Sequence, residues 1–433
     1  MTYLFLLGET DDDSFEEQFH GTDSLISGEV GQEYYTEPTV GKIHHSNTSA
    51  SHKANYVAGE NDYQWIFISK RMCPRLCEIA PYISIDDFEK IKYVGKGAHS
   101  TINLAKWNLN GQYYALKTCD KNRIARFHTL QNLTREKDIL DMIYHPSIVR
   151  LEATFQDESA LYFCLEYHSH GDLASLIRAN ESLPLDLIRF YAMEIINALE
   201  CLQSHNVVHR DMKPENILIN NSFHWWLSDF GSAKVIDPVK IAESLQGIKF
   251  CDDSELDELD DYQPDFDTSN VSANHKAFAE LNNMTFVGSP LYVSPEMLLH
   301  SIASFSSDLW GLGWILFQWA CGYPPFKGTT ENIVFEQILE WNLEVPADID
   351  PTLEDLILSL LNLNPNERLG AGIPGSHNDL EVLKSHAFFR HQRFEDVHSK
   401  KVPRTSSLKS DIELAEAEMS ADDINMVLDN VQL

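Results

Sequence analysis

No hydrophobic run in the chain is long enough to cross a bilayer, and its apolar opening, YLFLL, ends after five residues in the acidic GETDDD. That length and flank also exclude a secretory signal. Positive charge is scarce. Lys and Arg number 33 against 66 Asp and Glu, a formal net charge of −33; long-range repulsion between polyanions excludes a general nucleic-acid or anionic-membrane binder. Paired cysteines are missing as well. The seven present (Cys73, Cys77, Cys119, Cys164, Cys201, Cys251, Cys321) form no C-x-x-C, and Cys73 and Cys77 have no His or Cys nearby to complete a zinc set. Reduced thiols in a cytosolic protein fit this usage. The cytoplasm is the expected compartment, with the nucleus left open.

What is present is enough sequence for one large core or two moderate ones: 433 residues, 43% of them hydrophobic. Residues 1 to about 82 are rich in Asp, Glu, Ser, Thr, His and Gly without a sustained hydrophobic period, and are expected to lack regular structure. From Phe88, FEKIKYVGKGAHSTINLAKW and QYYALKTC have the β-branched and aromatic texture of strands separated by glycine turns. Thr129 to Ile143 then reads as a helix. After Pro184, Ile195, Ala198, Leu199 and Leu202 recur at helical spacing, and Trp310–Cys321, Glu331–Trp341 and Thr352–Leu363 continue the helical texture. A strand-rich half followed by a helix-rich half implies two lobes with a cleft between them. Residues from about 237 to 276 interrupt this order with a long structureless loop that includes CDDSELDELDDYQPDFD, and residues 392–433 form a polar tail.

The densest chemistry lies between His209 and Gly231, where HRDMKPENILI is followed closely by SDFG. This spacing brings a carboxylate (Asp211), a cation (Lys213), an amide oxygen (Asn216) and a second carboxylate (Asp229) to one site. Asp211 would orient an incoming hydroxyl and take its proton late, Lys213 would offset charge on a transferring phosphoryl group, and Asn216 and Asp229 would ligate Mg²⁺. Upstream, Val94-Gly95-Lys96-Gly97-Ala98-His99-Ser100 lies between two strand-like runs. Glycines there let backbone amides approach phosphate oxygens. Lys117 in YYALK is followed nineteen positions later by Glu136 in TREKDILDMI, a spacing suited to a strand lysine held by a helix carboxylate and aimed at the α and β phosphates. In NMTFVGSPLYVSPEML, phosphorylation of Thr285 would add roughly −1.5 to −2 charges. Arg135, Arg210 and Lys234 are the cations expected to converge on it.

Together these residues resemble the eukaryotic protein kinase family over about Ile85 to His391. The resemblance implies an α+β, bilobal protein kinase fold: a β-rich N-lobe at about 85–167, an α-helical C-lobe at about 168–391, and ATP and Mg²⁺ as cofactors. It implies Ile102 and Ala115 above the adenine, Leu218 below it, Leu165 as gatekeeper, and hinge hydrogen bonds from Glu166 and His168. Leu140, Leu151, His209 and Phe230 resemble the hydrophobic spine, anchored by Asp308, and Glu296 with Arg368 resembles the buried pair of the helical lobe. Lys213 in DMKPEN and Ser289 after Gly288 look like serine/threonine rather than tyrosine kinases.

NLTREKDIL, FQDESALYF, SSDLW, NERLG and HAFF resemble the AGC group, and TFVGSPLYVSPEML is most similar to its 3-phosphoinositide-dependent protein kinase family. That likeness implies a substrate-docking pocket lined by Lys121, Thr154, Gln156 and Leu161, with Ala125 in place of a larger aliphatic residue. It also implies that Lys137 receives a substrate phosphate, while Glu89 stands where the family has another basic residue. Residues 391–433 contain no F-x-x-F segment with which to fill such a pocket in cis. The expectation is an ATP-dependent, non-specific serine/threonine protein kinase whose partners are AGC kinases docking through F-x-x-F tails, activated at Thr285. No direct membrane or phosphoinositide binding is expected, because roughly forty C-terminal residues are too few for a PH domain. The alternatives are an AGC kinase with unrelated substrates and a pseudokinase scaffold.

Overall fold

The computed structural model describes residues 67–68, 83–97, 100–168, 170–180, 182–220, 222–246 and 290–403. Its first half is a six-stranded antiparallel sheet of β1 (Phe67–Ile68), β2 (Phe88–Lys96), β3 (Ser100–Trp107), β4 (Tyr113–Asp120), β5 (Leu151–Gln156) and β6 (Ala160–Glu166), in the order β1-β5-β6-β4-β3-β2. Alternation sorts the side chains to two faces. On one, Phe88 stacks on Trp107 and Phe155, and Phe155 on Tyr162. The other buries Leu161 and Phe163 in one core with Ile124 of helix α1 (Lys121–Phe127) and Ile139 and Leu140 of α2 (Leu130–Met142).

The second half contains α3 (Leu173–Ala179), α4 (Leu185–Ser204), α5 (Pro238–Gln246), α6 (Pro295–His300), α7 (Phe305–Cys321), α8 (Glu331–Leu339), α9 (Pro351–Leu360) and α10 (Leu380–Lys384), with the short pairs β7 (Val207–Val208) with β10 (Lys234–Val235) and β8 (Ile217–Ile219) with β9 (Trp225–Leu227). α7 is apolar almost all round and sits at the centre, against α4 and α9. Two glycines make that packing possible. A Cβ on Gly311 would meet Met212 Cβ at 2.5 Å, and one on Gly313 would meet Leu360 Cβ at 2.9 Å. The first lets the loop carrying Asp211 rest directly on α7. Among the described residues no helix is long and apolar enough to cross a membrane.

Glu296 and Arg368, both fully buried, join α6 to the segment after α9 by paired hydrogen bonds of 2.9 and 3.0 Å. Burial alone would raise Glu296, but the guanidinium holds its carboxyl below the usual range.

The segment before residue 82 contributes β1, which pairs with the outer edge of β5 (Phe67 opposite Thr154, Ile68 opposite Ala153). One expectation about an irregular segment is corrected. The stretch from 237 begins with a helix rather than a structureless loop. Asp237 caps α5 by accepting from the Val239 amide at 3.2 Å, Pro238 suits the first turn, and Leu245 is buried. The acidic run itself lies outside the described residues.

Candidate active site

The strand β4 and the helix α2 meet at Lys117. Its Nζ lies 2.6 Å from Glu136 Oε1 and 3.7 Å from Asp229 Oδ1. Burial pulls the lysine down, yet the two carboxylates carry it well above the ordinary range, so it is a fixed cation. α2 also packs against Phe230–Ser232, and a side chain on Gly231 would press on the Asp229 carboxylate at 3.3 Å. Asp229 adopts a left-handed backbone (φ 58°).

Asp211 lies in the turn between β7 and β8. Lys213 Nζ donates to its Oδ2 at 2.7 Å, and Asn216 Nδ2 donates to the same oxygen at 3.0 Å and to the Asp211 carbonyl at 2.8 Å. Burial would raise this carboxyl, but Lys213, followed by His209 and Asn216, holds it below the usual range and ionised. The loop's shape is set from α7. Asp308 accepts the His209 and Arg210 amides at 2.7 and 2.8 Å, which supports the left-handed turn at Arg210 (φ 66°). Burial pushes the Asp308 carboxyl up to about 7 despite those bonds. His209 stands edge-on to Phe230, ring centres 4.9 Å apart, with its Nε2 3.0 Å from the Ser228 carbonyl; burial lowers its pKa and keeps it neutral.

A cleft opens beside these groups. Val94, Ile102 and Ala115 line it from the sheet, Leu218 from the helical half, and Leu165, Glu166 and His168 from the connection between them. The Glu166 carboxylate is clamped by Arg150 at 3.0 and 3.2 Å. Gly95 and Lys96 end β2, and the Gly97 amide donates to the Ser100 carbonyl at 2.9 Å, closing the glycine turn; Ala98 and His99 lie outside the described residues. Val149, Tyr167, Glu215 and Ser228 also line the cleft. Ser228 could have been found from its place beside Asp229, whereas Val149 reaches the cleft only through the fold.

His168 has a second feature. Its ring stacks on Trp226, centroids 4.5 Å apart, and is buried enough that its pKa falls to about 3. Trp226 is on β9, opposite Leu218 of β8.

The arrangement can position a hydroxyl and hold polyphosphate. The residues present also fit Mg²⁺. Asn216 Oδ1 is buried without a hydrogen-bond partner, because Nδ2 faces Asp211, and the Asp229 side chain is about a third exposed to the cleft. Among the described residues no three His, Cys, Asp or Glu side chains converge as a metal cluster, so a cation here would draw on Asn216, Asp229 and phosphate oxygens.

The cations expected around Thr285 are partly gathered. Arg210 Nε donates to the Ser232 carbonyl at 2.6 Å, and its pKa is lowered by burial and then by the nearby Arg135 guanidinium. Lys234 is exposed on β10. Thr285, with Gly288 and Ser289, lies outside the described residues. Of the expected docking residues, Thr154 and Leu161 are 0% and 1% exposed, so they floor the region rather than open onto it. Lys121 Nζ donates to the Asp157 carbonyl at 2.6 Å, Gln156 ends β5, and Lys137 is 2.9 Å from Asp138. Glu89 is not part of this region. It sits on β2, at the opposite edge of the sheet from β1 and β5, in register with Lys106.

Residues 88–250 and 264–389 match the protein kinase domain family. The match breaks at 251–263, within the acidic run. 3-Phosphoinositide-dependent protein kinase 1 of Rattus norvegicus is 34% identical over 322 residues, 74% of this chain and 50% of that protein. The Arabidopsis thaliana kinase of the same name is 35% identical over 318 residues, 73% of this chain and 58% of the relative. The putative 3-phosphoinositide-dependent protein kinase 2 of Homo sapiens is 34% identical over 322 residues, 74% of this chain and 71% of its own length. The chain thus spans about half the length of the first of these relatives. With a kinase-type cleft, a lysine–helix ion pair and these relatives, the chain belongs to the protein kinase family, among AGC-type serine/threonine kinases like the 3-phosphoinositide-dependent protein kinases.

Proposed function

We propose that the chain transfers the γ-phosphate of ATP to Ser or Thr hydroxyls in the activation loops of other AGC kinases. The observation that carries the transfer is the joint placement of Lys117 on Glu136 and of an ionised Asp211 against Lys213 and Asn216. Lys117 holds the α and β phosphates, Asp211 orients the substrate hydroxyl and accepts its proton, and Lys213 offsets charge on the transferred group. Asn216 and Asp229 hold Mg²⁺, which when bound neutralises phosphate charge. Val94, Ile102, Ala115 and Leu218 enclose the adenine, with the connection at Glu166 and His168 beside it.

Activation runs through Thr285. Its phosphate pairs with Arg210 and Arg135, which stand near enough that the Arg135 guanidinium helps lower the Arg210 pKa. Since Arg210 neighbours Asp211, this contact couples the segment to the catalytic loop. The substrate class is supported by the likeness to the 3-phosphoinositide-dependent kinases, and the working compartment is the cytoplasm, with the nucleus open to it.

The test is turnover by the full chain on a panel of inactive AGC kinases and on an activation-loop peptide with and without a fused F-x-x-F tail. A gain from the tail supports the substrate class. Transfer without any gain favours an AGC kinase with other substrates, and no transfer at all, with Asp211→Ala silent in cells, favours a scaffold.

A further inference from the structure

We propose that the segment carrying β1 occupies the docking edge of this kinase in cis, so that a substrate's F-x-x-F tail must displace it. This rests on the docking role given above to Lys121, Thr154, Gln156 and Leu161.

Three observations lead there. An edge strand offers unpaired amides and carbonyls to any extended segment, and strand addition is a common way for a kinase-type sheet or any other to take up a peptide. In this chain the outer edge of β5 is taken by the chain itself, since Phe67 lies opposite Thr154 and Ile68 opposite Ala153. Secondly, Thr154 and Leu161, expected to line an open pocket, are 0% and 1% exposed. Their side chains are covered, while Lys121 and Gln156 beside them stay half-buried.

The third observation is in the sequence. Besides the opening YLFLL, the polar first 82 residues contain the apolar run Tyr63-Gln64-Trp65-Ile66-Phe67-Ile68, with aromatic residues at every second position. That is the pattern of an extended segment with one apolar side. It ends in the strand that meets β5. Within 391–433 no F-x-x-F stands to compete with it for this edge. Tethering favours it strongly, because an intramolecular segment competes at a high effective concentration.

Such an occupant acts as a tax on docking. If it is seated nine-tenths of the time, the apparent affinity for a competing peptide falls about tenfold. The test is binding of a fluorescent F-x-x-F peptide to the full chain and to Phe67→Pro, which removes a backbone donor and disfavours the added strand. Binding about tenfold tighter to Phe67→Pro is expected. Hydrogen exchange on the unaltered chain gives a second reading that does not depend on the variant folding: the amides of Phe67 and Ile68 should lose protection when the peptide is bound, while those of β5 keep theirs. Equal binding to both proteins, with Phe67 and Ile68 still protected beside bound peptide, would overturn the competition and leave the docking role standing. A peptide that binds neither protein refutes the docking role and the competition together.

Discussion

In the catalytic loop, Asp211, Lys213 and Asn216 fall within one short turn and bond one another directly. At the outer edge of the sheet, Lys121, Thr154 and Leu161 come from α1, β5 and β6, and the strand that pairs with β5 there lies far upstream at Phe67–Ile68. Local geometry fixes the first region, whereas strand pairing over long sequence separation fixes the second. The chemical groups thus sit on a rigid turn, and under the competition proposed above the outer edge is where a substrate tail is admitted. A loop braced on α7 by Asp308 through two amides has little room to rearrange; a two-residue strand at a sheet edge has few bonds to lose.

The strongest way to break this contrast is at the loop. Asp211→Asn keeps the size of the side chain and removes the base, and should lower kcat by about 10²–10⁴-fold. Thermal denaturation should change little, and nucleotide binding should persist, because Lys117, Glu136 and Asp229 are untouched. A variant that kept its turnover would remove Asp211 from the mechanism.

Next in size is the frame beneath the loop. Arg368→Leu strands a fully buried Glu296 and also removes donors from the Ser306 and Asn362 carbonyls. A loss of about 3–5 kcal/mol is expected from denaturant unfolding. Glu296 then has to be protonated to stay buried. The variant should therefore recover part of its stability as pH falls, and a variant that unfolded like the parent at every pH would show that the pair is dispensable.

These regions also differ in how far they could be read in advance. Lys117 and Glu136 are legible because strand-to-helix spacing constrains their distance, and Asp211, Asn216 and Asp229 because a tight loop leaves few arrangements. The helix expected over Thr129–Ile143 lies at Leu130–Met142, since its apolar period and its ends are local. β1 was overlooked because the short YQWIFI run stands alone in a long polar region, and its partner β5 lies far along the chain. Glu89 was placed beside the docking region by likeness to the family, but strand order carries β2 to the far edge. Nor does any local signal pair His168 with Trp226; the contact exists only because β8 and β9 fold Trp226 back beneath the connection.

That stack offers a smaller, graded test between the two lobes. His168 is neutral in the folded chain down to about pH 3, whereas an unfolded histidine takes its proton near 6.5. Between those values the unfolded state binds more protons, so stability rises with pH and falls on acidification. The slope from this residue is at most about 1.4 kcal/mol per pH unit. His168→Ala should flatten the profile between pH 6.5 and 4, at some cost in stability near pH 7 from the lost stack. A profile of unchanged steepness would place the acid sensitivity elsewhere, with His145, also lowered by burial, to about 4, as the next candidate.

The smallest effect belongs to the docking edge and sharpens what that edge reads. Lys137 is expected to receive a phosphate from a docked tail, yet its ammonium already lies 2.9 Å from the largely exposed Asp138 carboxylate. The Lys137 side chain is 12% exposed and that of Asp138 63%, so the ammonium is partly screened and the pair contributes on the order of 1 kcal/mol. Lys137→Ala should therefore weaken a phosphorylated F-x-x-F peptide by no more than about fivefold and leave an unphosphorylated one nearly unchanged. Because a docked phosphate would itself remain in contact with solvent, the difference should shrink as salt is raised. If both peptides weaken equally, Lys137 supports the groove through its packing. If only the phosphorylated peptide weakens, the edge distinguishes charge as well as shape, and a phosphate on the tail would help it displace the chain's own strand.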